Sequence, residues 1–453
     1  MSDAQTLITN GKLITWGEPN RILDSYAILV DKGVISKVEP ENKLISQYPD
    51  AKLLDARGQY VLPGNICAHT HFYGAFARGL AIPGKPPKDF PEILEKLWWP
   101  LDKSLTQEDV RASAQIMLVD AIRHGTTTLI DHHASPNFIS GSLDVISEEV
   151  DASGLRAVLC YEVTDRDGKQ KAKAGIDENV RFIKAAQNRK IADGRISATF
   201  GLHASLTLSE STLEACLSSI PSDSGFHIHV AEHEVDEYDS VEKAGLRVVD
   251  RLEKHGVLGP KTIVAHCVHV DALEISKLAS SGTWVTHQPR SNMNNGVGAA
   301  PIESLLRAGV NVCLGTDGFP HRMWEEWKTA YLLQKVWHRD PRRLSGTDVA
   351  EISIYNNARL AQVFFPDAPI GVIEVGAHAD LIFIEYYPHT PLNEDNLPWH
   401  IIFGFHESMI TTTIVAGKVL MKDRKLLTLD EEAIASSAKK QSLGVWERYY
   451  KQF

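Results

Sequence analysis

The feature that most constrains this chain is a repeated alternation of amphipathic helix and short apolar strand, running from about residue 104 to residue 315. In its first unit, Ser104-Leu105-Thr106-Gln107 reads as a capping box, followed by Val110, Ala114, Met117, Leu118 and Ala121 at helical spacing. Gly125 supplies the stop, and Thr126–Ile130 is a β-branched strand. The unit recurs as helix 143–153 with strand 155–161, helix 176–191 with strand 196–202, and helix 209–219 with strand 225–230. Three more follow: helix 245–256 with strand 262–265, helix 271–280 with strand 283–286, and helix 301–309 with strand 311–315. Counting the strand that ends at His69 gives eight. These strands are apolar without clear alternation, as when both faces of a parallel sheet are buried. The predicted fold is therefore α/β, a (β/α)8 TIM-like barrel.

The flanks break the rhythm. Residues 5–60 hold short strand-like pieces such as Leu7–Ile14 and Ala27–Val30, and residues 372–421 hold others, Asp380–Ile384 and Ile414–Val419. Neither flank is long enough to fold alone, so both ends are expected to build one small β-sandwich domain. The expected organisation is 1–60 as its N-terminal part, 61–368 as the barrel, and 369–453 as its C-terminal part with a C-terminal helix.

Composition narrows the function classes. A net charge of −11 and the lack of a Lys/Arg cluster interleaved with aromatics argue against a nucleic-acid partner. No apolar run approaches a membrane span, and Met1–Gln5 lacks the basic and apolar parts of a signal peptide. Five widely spaced cysteines without a Cys-x-x-Cys fit reduced thiols, so a cytoplasmic location is expected.

In such a barrel, functional residues sit at the C-terminal strand ends. These ends are polar here: His69 and His71, His203, His227 and His229 with Glu232 beyond, His266, and Thr316-Asp317-Gly318. In a strand, His69 and His71 point the same way with Cα atoms roughly 6–7 Å apart, close enough to share an ion. His69, His71, His229 and Asp317 make three imidazoles and a carboxylate, a set suited to zinc or ferrous iron with one position open for water. A metal there would lower the pKa of that water and supply hydroxide. Asp317 can take the water proton, Glu232 is placed as a proton shuttle, and His266 would orient the hydroxide. His227 lies deeper and reads as a packed core histidine.

Leu62-Pro63-Gly64 leading to His69-Thr70-His71, then His229-x-x-Glu232, His266 and Leu314-Gly315-Thr316-Asp317-Gly318, resembles the metal-dependent amidohydrolase superfamily in its ATZ/TRZ aminohydrolase branch. The segments Leu97–Asp102, Ile130–Pro136, Arg290–Asn295 and Phe403-Gly404 are similar to the SsnA type of that branch. So is Cys67, where the superfamily usually has Asp or Asn. The resemblance implies a mononuclear metal site on His69, His71, His229 and Asp317, with zinc ahead of iron. It makes Glu232 the acid/base residue, His266 the hydroxide-positioning residue and His203 a substrate contact. The implied reaction is hydrolytic removal of an exocyclic amino group from a small nitrogen heterocycle, purine- or pterin-like. A homodimer is the family's habit. Binuclear relatives carry a lysine at the end of strand 4, and Ile196–His203 has none, which favours one metal per chain.

Other residues around the mouth are expected to choose the substrate. One of His132 and His133 should face the pocket, with His133 the candidate, and one of Trp98 and Trp99 should stack on a planar ring, with Trp99 the candidate. Arg290 and Arg78 are candidates for an anionic substrate group. Phe319–Glu326 departs from the small residues that follow the aspartate in many deaminases of the branch, which argues against an S-adenosylhomocysteine or adenosine deaminase, and the loop after the first strand does not match guanine deaminases. Two other reactions fit the same site, opening of a cyclic amide or amidine and removal of chloride. A non-catalytic binding protein on the same scaffold would be expected to lack ligands that this chain keeps.

Overall fold

The computed structural model describes residues 5–188 and 191–453. The N-terminal Met1–Ala4 and two residues of the expected helix 176–191, Arg189 and Lys190, lie outside them. Five strands come first: β1 (Thr6–Ile14), β2 (Ile22–Asp31), β3 (Val34–Pro40), β4 (Lys52–Asp55) and β5 (Tyr60–Pro63). The barrel strands are β6 (Asn65–Thr70), β7 (Thr126–Asp131), β8 (Arg156–Leu159), β9 (Ile196–Ala198), β10 (Phe200–Ala204), β11 (Phe226–Val230), β12 (Ile263–His266), β13 (Trp284–His287) and β14 (Asn311–Leu314). Four more close the chain: β15 (Leu381–Ile384), β16 (Ile410–Val415), β17 (Lys418–Lys422) and β18 (Lys425–Leu426).

The barrel strands pair in parallel as β6-β7-β8-β9 and β10-β11-β12-β13-β14. The fourth strand, expected as one piece, is broken at Thr199 into β9 and β10, because the Thr199 hydroxyl and the Phe200 N–H both bond the Gly225 carbonyl. The ring closes where Thr70 bridges Asp317, with the Thr316 and Asp317 amides donating to the His69 carbonyl. That closure sets strand 8 beside strand 1, so the two ends of a 250-residue stretch meet at His69. Every residue of β6, β7 and β8 is buried, which accounts for their unbroken apolar pattern.

Local corrections follow from hydrogen bonding. The first barrel helix starts two residues later than expected, at Gln107, because Asp109 accepts from both the N–H and the hydroxyl of Thr106, while Ser104 bonds back to the Pro100 carbonyl. A helix over Glu234–Ala244, absent from the expected rhythm, precedes a shorter Val248–Lys254. Gly125 adopts φ +66°, and a side chain there would reach 2.8 Å from Ile410 Cδ1 of the flanking sheet.

The flanking strands form one nine-stranded sheet of order β18-β17-β16-β15-β5-β1-β2-β3, with β4 on β1. Both chain ends contribute, and Tyr60–Pro63 pairs with β1 and β15 before the chain enters the barrel at Gly64. A buried ion pair, Arg156 Nε to Asp380 Oδ2 at 3.0 Å, ties β8 to this sheet, and the other Asp380 oxygen accepts from the Ala416 amide. Among the described residues no helix is long and apolar enough to cross a membrane.

Candidate active site

The histidines of the strand ends meet in one buried cluster. The His69 and His71 rings lie 4.7 Å apart, and the His229 ring stands 5.1 and 5.2 Å from them. Each of these three imidazoles spends its Nδ1 on a neighbour: His69 on His227 Nε2 at 2.8 Å, His71 on the His132 carbonyl at 2.6 Å, His229 on the His203 carbonyl at 2.8 Å. All three Nε2 atoms are thereby turned inward. His71 Nε2 is 3.2 Å from His229 Nε2 and 2.9 Å from Asp317 Oδ1, which is 3.4 Å from His69 Nε2. The buried Nε2 atoms of His69 and His266 have no hydrogen-bond partner. One ligand atom each from His69, His229, His266 and Asp317 falls within 4.8 Å of the others. Bare imidazole nitrogens beside a carboxylate, each oriented from behind, are the donor set of a divalent metal. The residues fit the ion.

Burial pushes His69 down to about 4 and His229 well below the usual range, favouring the neutral form that binds metal, whereas against burial Asp317 and Glu162 raise His71 well above its ordinary value. Burial alone would raise Asp317, but His69 and His71 hold it well below the ordinary carboxylate range. His132 also lies among these rings, yet its Nε2 faces the His227 carbonyl at 3.0 Å, so it supports the set from outside.

Glu232 stands at the edge of the cluster. Its Oε2 is 3.4 Å from His266 Nε2, its Oε1 accepts from Asn295, and burial pushes its carboxyl up to about 7. His266 gives its Nδ1 to Asn292 Oδ1 at 2.8 Å. Three residues here, Ala231, His266 and Asp317, hold left-handed φ angles of +48°, +74° and +54°.

The cavity above the cluster is walled by Phe90, Leu94, Trp98 and Trp99 on one side and by His203, Leu206 and His233 on another. His203 and Trp99, both expected at the substrate, line it, and so does Trp98. Asp102 lines it too; it is buried, paired to Arg166 Nη2 at 2.8 Å, and its Oδ1 has no partner.

Three expected substrate contacts lie elsewhere. Arg290 does not reach the cavity, because its guanidinium bonds Glu326, Glu325 and the Pro320 carbonyl and stacks over Phe319. Arg78 is exposed at the end of a turn spanning Phe72–Ala77. His133 is buried behind Tyr73 and bonds Ser135. Of the Asp131-His132-His133 run, none lines the cavity: Asp131 caps the Phe72 amide, and His132 serves His71.

Sequence reasoning passed over Glu162. It is buried just past β8, with Oε1 3.3 Å from Nδ1 of both His71 and His132 and Oε2 3.8 Å from His203 Nε2. Extending the third strand to residue 161 hid it, although the rule that strand ends carry chemistry applied there as elsewhere. Cys67, in turn, is buried with Sγ 3.3 Å from both the Thr316 hydroxyl and the His69 carbonyl, and burial pushes its thiol up to about 11. It is neither ligand nor nucleophile.

The amidohydrolase family model matches residues 60–420, most of the chain and all of the site. The chain belongs to the amidohydrolase family. Among curated amidohydrolase relatives, the 5'-deoxyadenosine deaminase of Methanosarcina mazei is 32% identical over 96% of this chain and 97% of its own. The 5-methylthioadenosine/S-adenosylhomocysteine deaminase of Haloarcula marismortui is 33% identical over 98% and 99%. Of solved structures, a zinc-bound adenosine deaminase of Xanthomonas campestris superposes with a TM-score of 0.85 at 24% identity, covering 99% of both chains. The zinc complex of an Arthrobacter aurescens atrazine chlorohydrolase gives 0.79 at 23%, over 96% of this chain and 100% of that one. These likenesses carry the barrel-plus-sheet fold of the amidohydrolases across the whole chain.

Proposed function

We propose that this amidohydrolase is an adenine-nucleoside deaminase holding one zinc ion on His69, His71, His229 and Asp317. The observation that carries the reading is the convergence of bare Nε2 atoms and Asp317 beside Glu232, under an aromatic cavity. The full-length relatives, both named as deaminases of adenosine derivatives, support the substrate class and correct the expectation that Phe319–Glu326 argues against it. When bound, the metal supplies a Lewis acid that acidifies water at neutral pH.

The chain's residues do the rest. Glu232, its carboxyl pushed up to about 7 by burial, accepts the first water proton and delivers it to the ring nitrogen next to the amino-bearing carbon. With its Nδ1–H donated to Asn292, His266 presents a bare Nε2 that accepts an O–H from the attacking oxygen and aims it at that carbon. As the tetrahedral centre collapses, Asp317 takes the second proton from the attacking oxygen and passes it to the amino group, which leaves as ammonia, and an oxo group remains on the ring. His203, its Nδ1 held by Thr207 at 2.8 Å, turns Nε2 to the substrate. Trp98 and Trp99 flank the heterocycle, and the unpartnered Asp102 oxygen accepts from a sugar hydroxyl.

Within the family we place the chain beside the SsnA type, on the strength of Cys67 and the segments Leu97–Asp102 and Arg290–Asn295. The deciding experiment is ammonia release by zinc-loaded protein from a panel of 5'-deoxyadenosine, 5'-methylthioadenosine, adenosine, guanine, a pterin and an aminotriazine. Turnover of the adenine nucleosides with one zinc per chain is expected. Ammonia from another ring alone would replace the substrate class, and a ring-opened acid without ammonia would overturn the deaminase.

A further inference from the structure

The short helix Pro289–Asn295 follows β13 and touches the site along one face. Gln288, Ser291, Asn292 and Asn295 stand at i, i+3, i+4 and i+7, the spacing of one helical stripe. Such a stripe facing a protein interior is ordinarily apolar. Here every member is polar, and every one bonds a residue at the end of another strand. Gln288 Oε1 accepts from the His266 amide at 3.1 Å, which fixes the left-handed backbone of that residue. Asn292 Oδ1 accepts from His266 Nδ1 at 2.8 Å, Ser291 donates to Asp317 Oδ2, and Asn295 Nδ2 donates to Glu232 Oε1 at 3.2 Å. Gln288 and Asn292 are fully buried and Ser291 nearly so. On the opposite side, the Arg290 guanidinium locks the helix to fully buried Glu326 and to Glu325.

We infer that this stripe is a positioning device: one rigid helix, anchored through Arg290–Glu326, sets the proton shuttle, the hydroxide-orienting imidazole and the aspartate ligand in register. Those three groups come from β11, β12 and β14, which no single strand could align. Gln288, Ser291 and Asn292 stand off the cavity and are positioning residues; Asn295 lines the cavity, with its amide committed to Glu232. Asn292 holds His266 in one tautomer, Asn295 aims the Glu232 carboxylate, and Ser291 occupies the Asp317 oxygen that faces away from the imidazoles. The activity arm of the test rests on the deaminase reading; the metal arm does not.

The test compares Asn292→Ala, Asn292→Asp, Asn295→Ala and Ser291→Ala with the native full-length chain. Zinc affinity by chelator competition, thermal melting, and kcat and KM on an adenine nucleoside are the readouts. Asn292→Ala and Asn295→Ala should each lower kcat by about 10–100-fold with zinc affinity and melting temperature unchanged, and in Asn292→Ala, off the cavity, KM should be unchanged as well. Asn292→Asp, which still accepts the Nδ1–H, should recover most of that loss. Ser291→Ala should weaken zinc binding by about 10-fold, because Asp317 loses its partner. A Ser291→Ala chain with native zinc affinity overturns the inference, whether or not any panel substrate is turned over. Losses shared by KM, zinc and melting temperature in every variant, with no recovery in Asn292→Asp, reduce the stripe to ordinary packing and overturn it as well. No ammonia from the native chain on any substrate, with the zinc arm as expected, removes the deaminase reading and leaves the role of the stripe in holding Asp317 standing.

Discussion

The floor of the cavity and its outer wall are built on opposite terms. On the floor, each of the three histidines proposed to hold the metal, His69, His71 and His229, is held at Nδ1, by His227, by the His132 carbonyl and by the His203 carbonyl, and Glu162 backs His71. On the wall, Asp102 Oδ1 and Trp99 Nε1 are buried and unpartnered. A buried polar atom without a partner costs about 1–3 kcal/mol, so a wall carrying two of them gains by meeting a polar ligand. An ion would meet the bare Nε2 atoms of the floor, and a polar ligand the free Asp102 oxygen of the wall. Mutations on the floor should therefore act on metal and kcat, and those on the wall on KM.

The sharpest break of that contrast is at the floor. His229→Ala should lose the metal and all activity, read by elemental analysis. Glu232→Gln should keep the metal while kcat falls by about 100–10,000-fold, the range for removing a general acid/base. A Glu232→Gln enzyme with native turnover would move the proton shuttle elsewhere. Next comes His227→Leu, which leaves His69 Nδ1 without its acceptor. Zinc affinity should drop by about 10–100-fold, measured against a chelator, with KM on metal-saturated enzyme unchanged.

The wall supplies the mirror case. Asp102→Asn keeps the shape but removes the charge that accepts from the substrate and pairs with Arg166. KM should rise by about 10-fold, as for a lost hydrogen bond to a charged group, with zinc content native. A change in metal content instead of KM would erase the division between floor and wall. On the floor again, Glu232 must be a carboxylate to accept a proton, and burial pushes it up from 4.5 to about 7. It is protonated below its pKa, so kcat/KM should fall as pH drops, by about tenfold per unit below that point. The charge of the ion draws the point downward, which puts the acidic limb between 4.5 and about 7. An acidic limb with the same midpoint in the residual rate of Glu232→Gln would assign it to another group.

The same contrast explains what was legible in the sequence. The floor is made of strand ends, and the alternation of helix and strand locates those ends directly; His69, His71, His229, Glu232, His266 and Asp317 all come from that rhythm. The break at Thr199 was not legible, because it depends on the Gly225 carbonyl of the neighbouring strand. The wall comes from the loop after β6 and from the ends of β10 and β11 with the segments that follow them, whose closeness to that loop is purely tertiary. Arg290 shows the hazard: a charge at a strand end resembles a substrate clamp until Glu326, thirty-six residues on, appears beside it. Glu162 shows the opposite error, a strand drawn too long hiding a carboxylate at the site.

Cys67 is where floor and family resemblance meet, and it should give the smallest effect. It occupies the position of a usual Asp or Asn, so a reading by position alone would give it charge and a share in the metal. The thiol is fully buried, within 3.3 Å of the Thr316 hydroxyl and the His69 carbonyl, and its raised pKa keeps it neutral at physiological pH. A neutral group there adds no negative charge to a floor that already carries Asp317, Glu232 and Glu162. Serine offers the same two hydrogen bonds in a smaller volume, so Cys67→Ser should change kcat by less than about threefold and stability by about 1 kcal/mol. Cys67→Asp, in contrast, buries a carboxylate against the His69 carbonyl, which repels it, and should destabilise the fold by several kcal/mol as read by denaturant unfolding. If the aspartate variant folded as well as the serine one, the floor would tolerate a further charge, and the neutrality of Cys67 would lose its structural meaning.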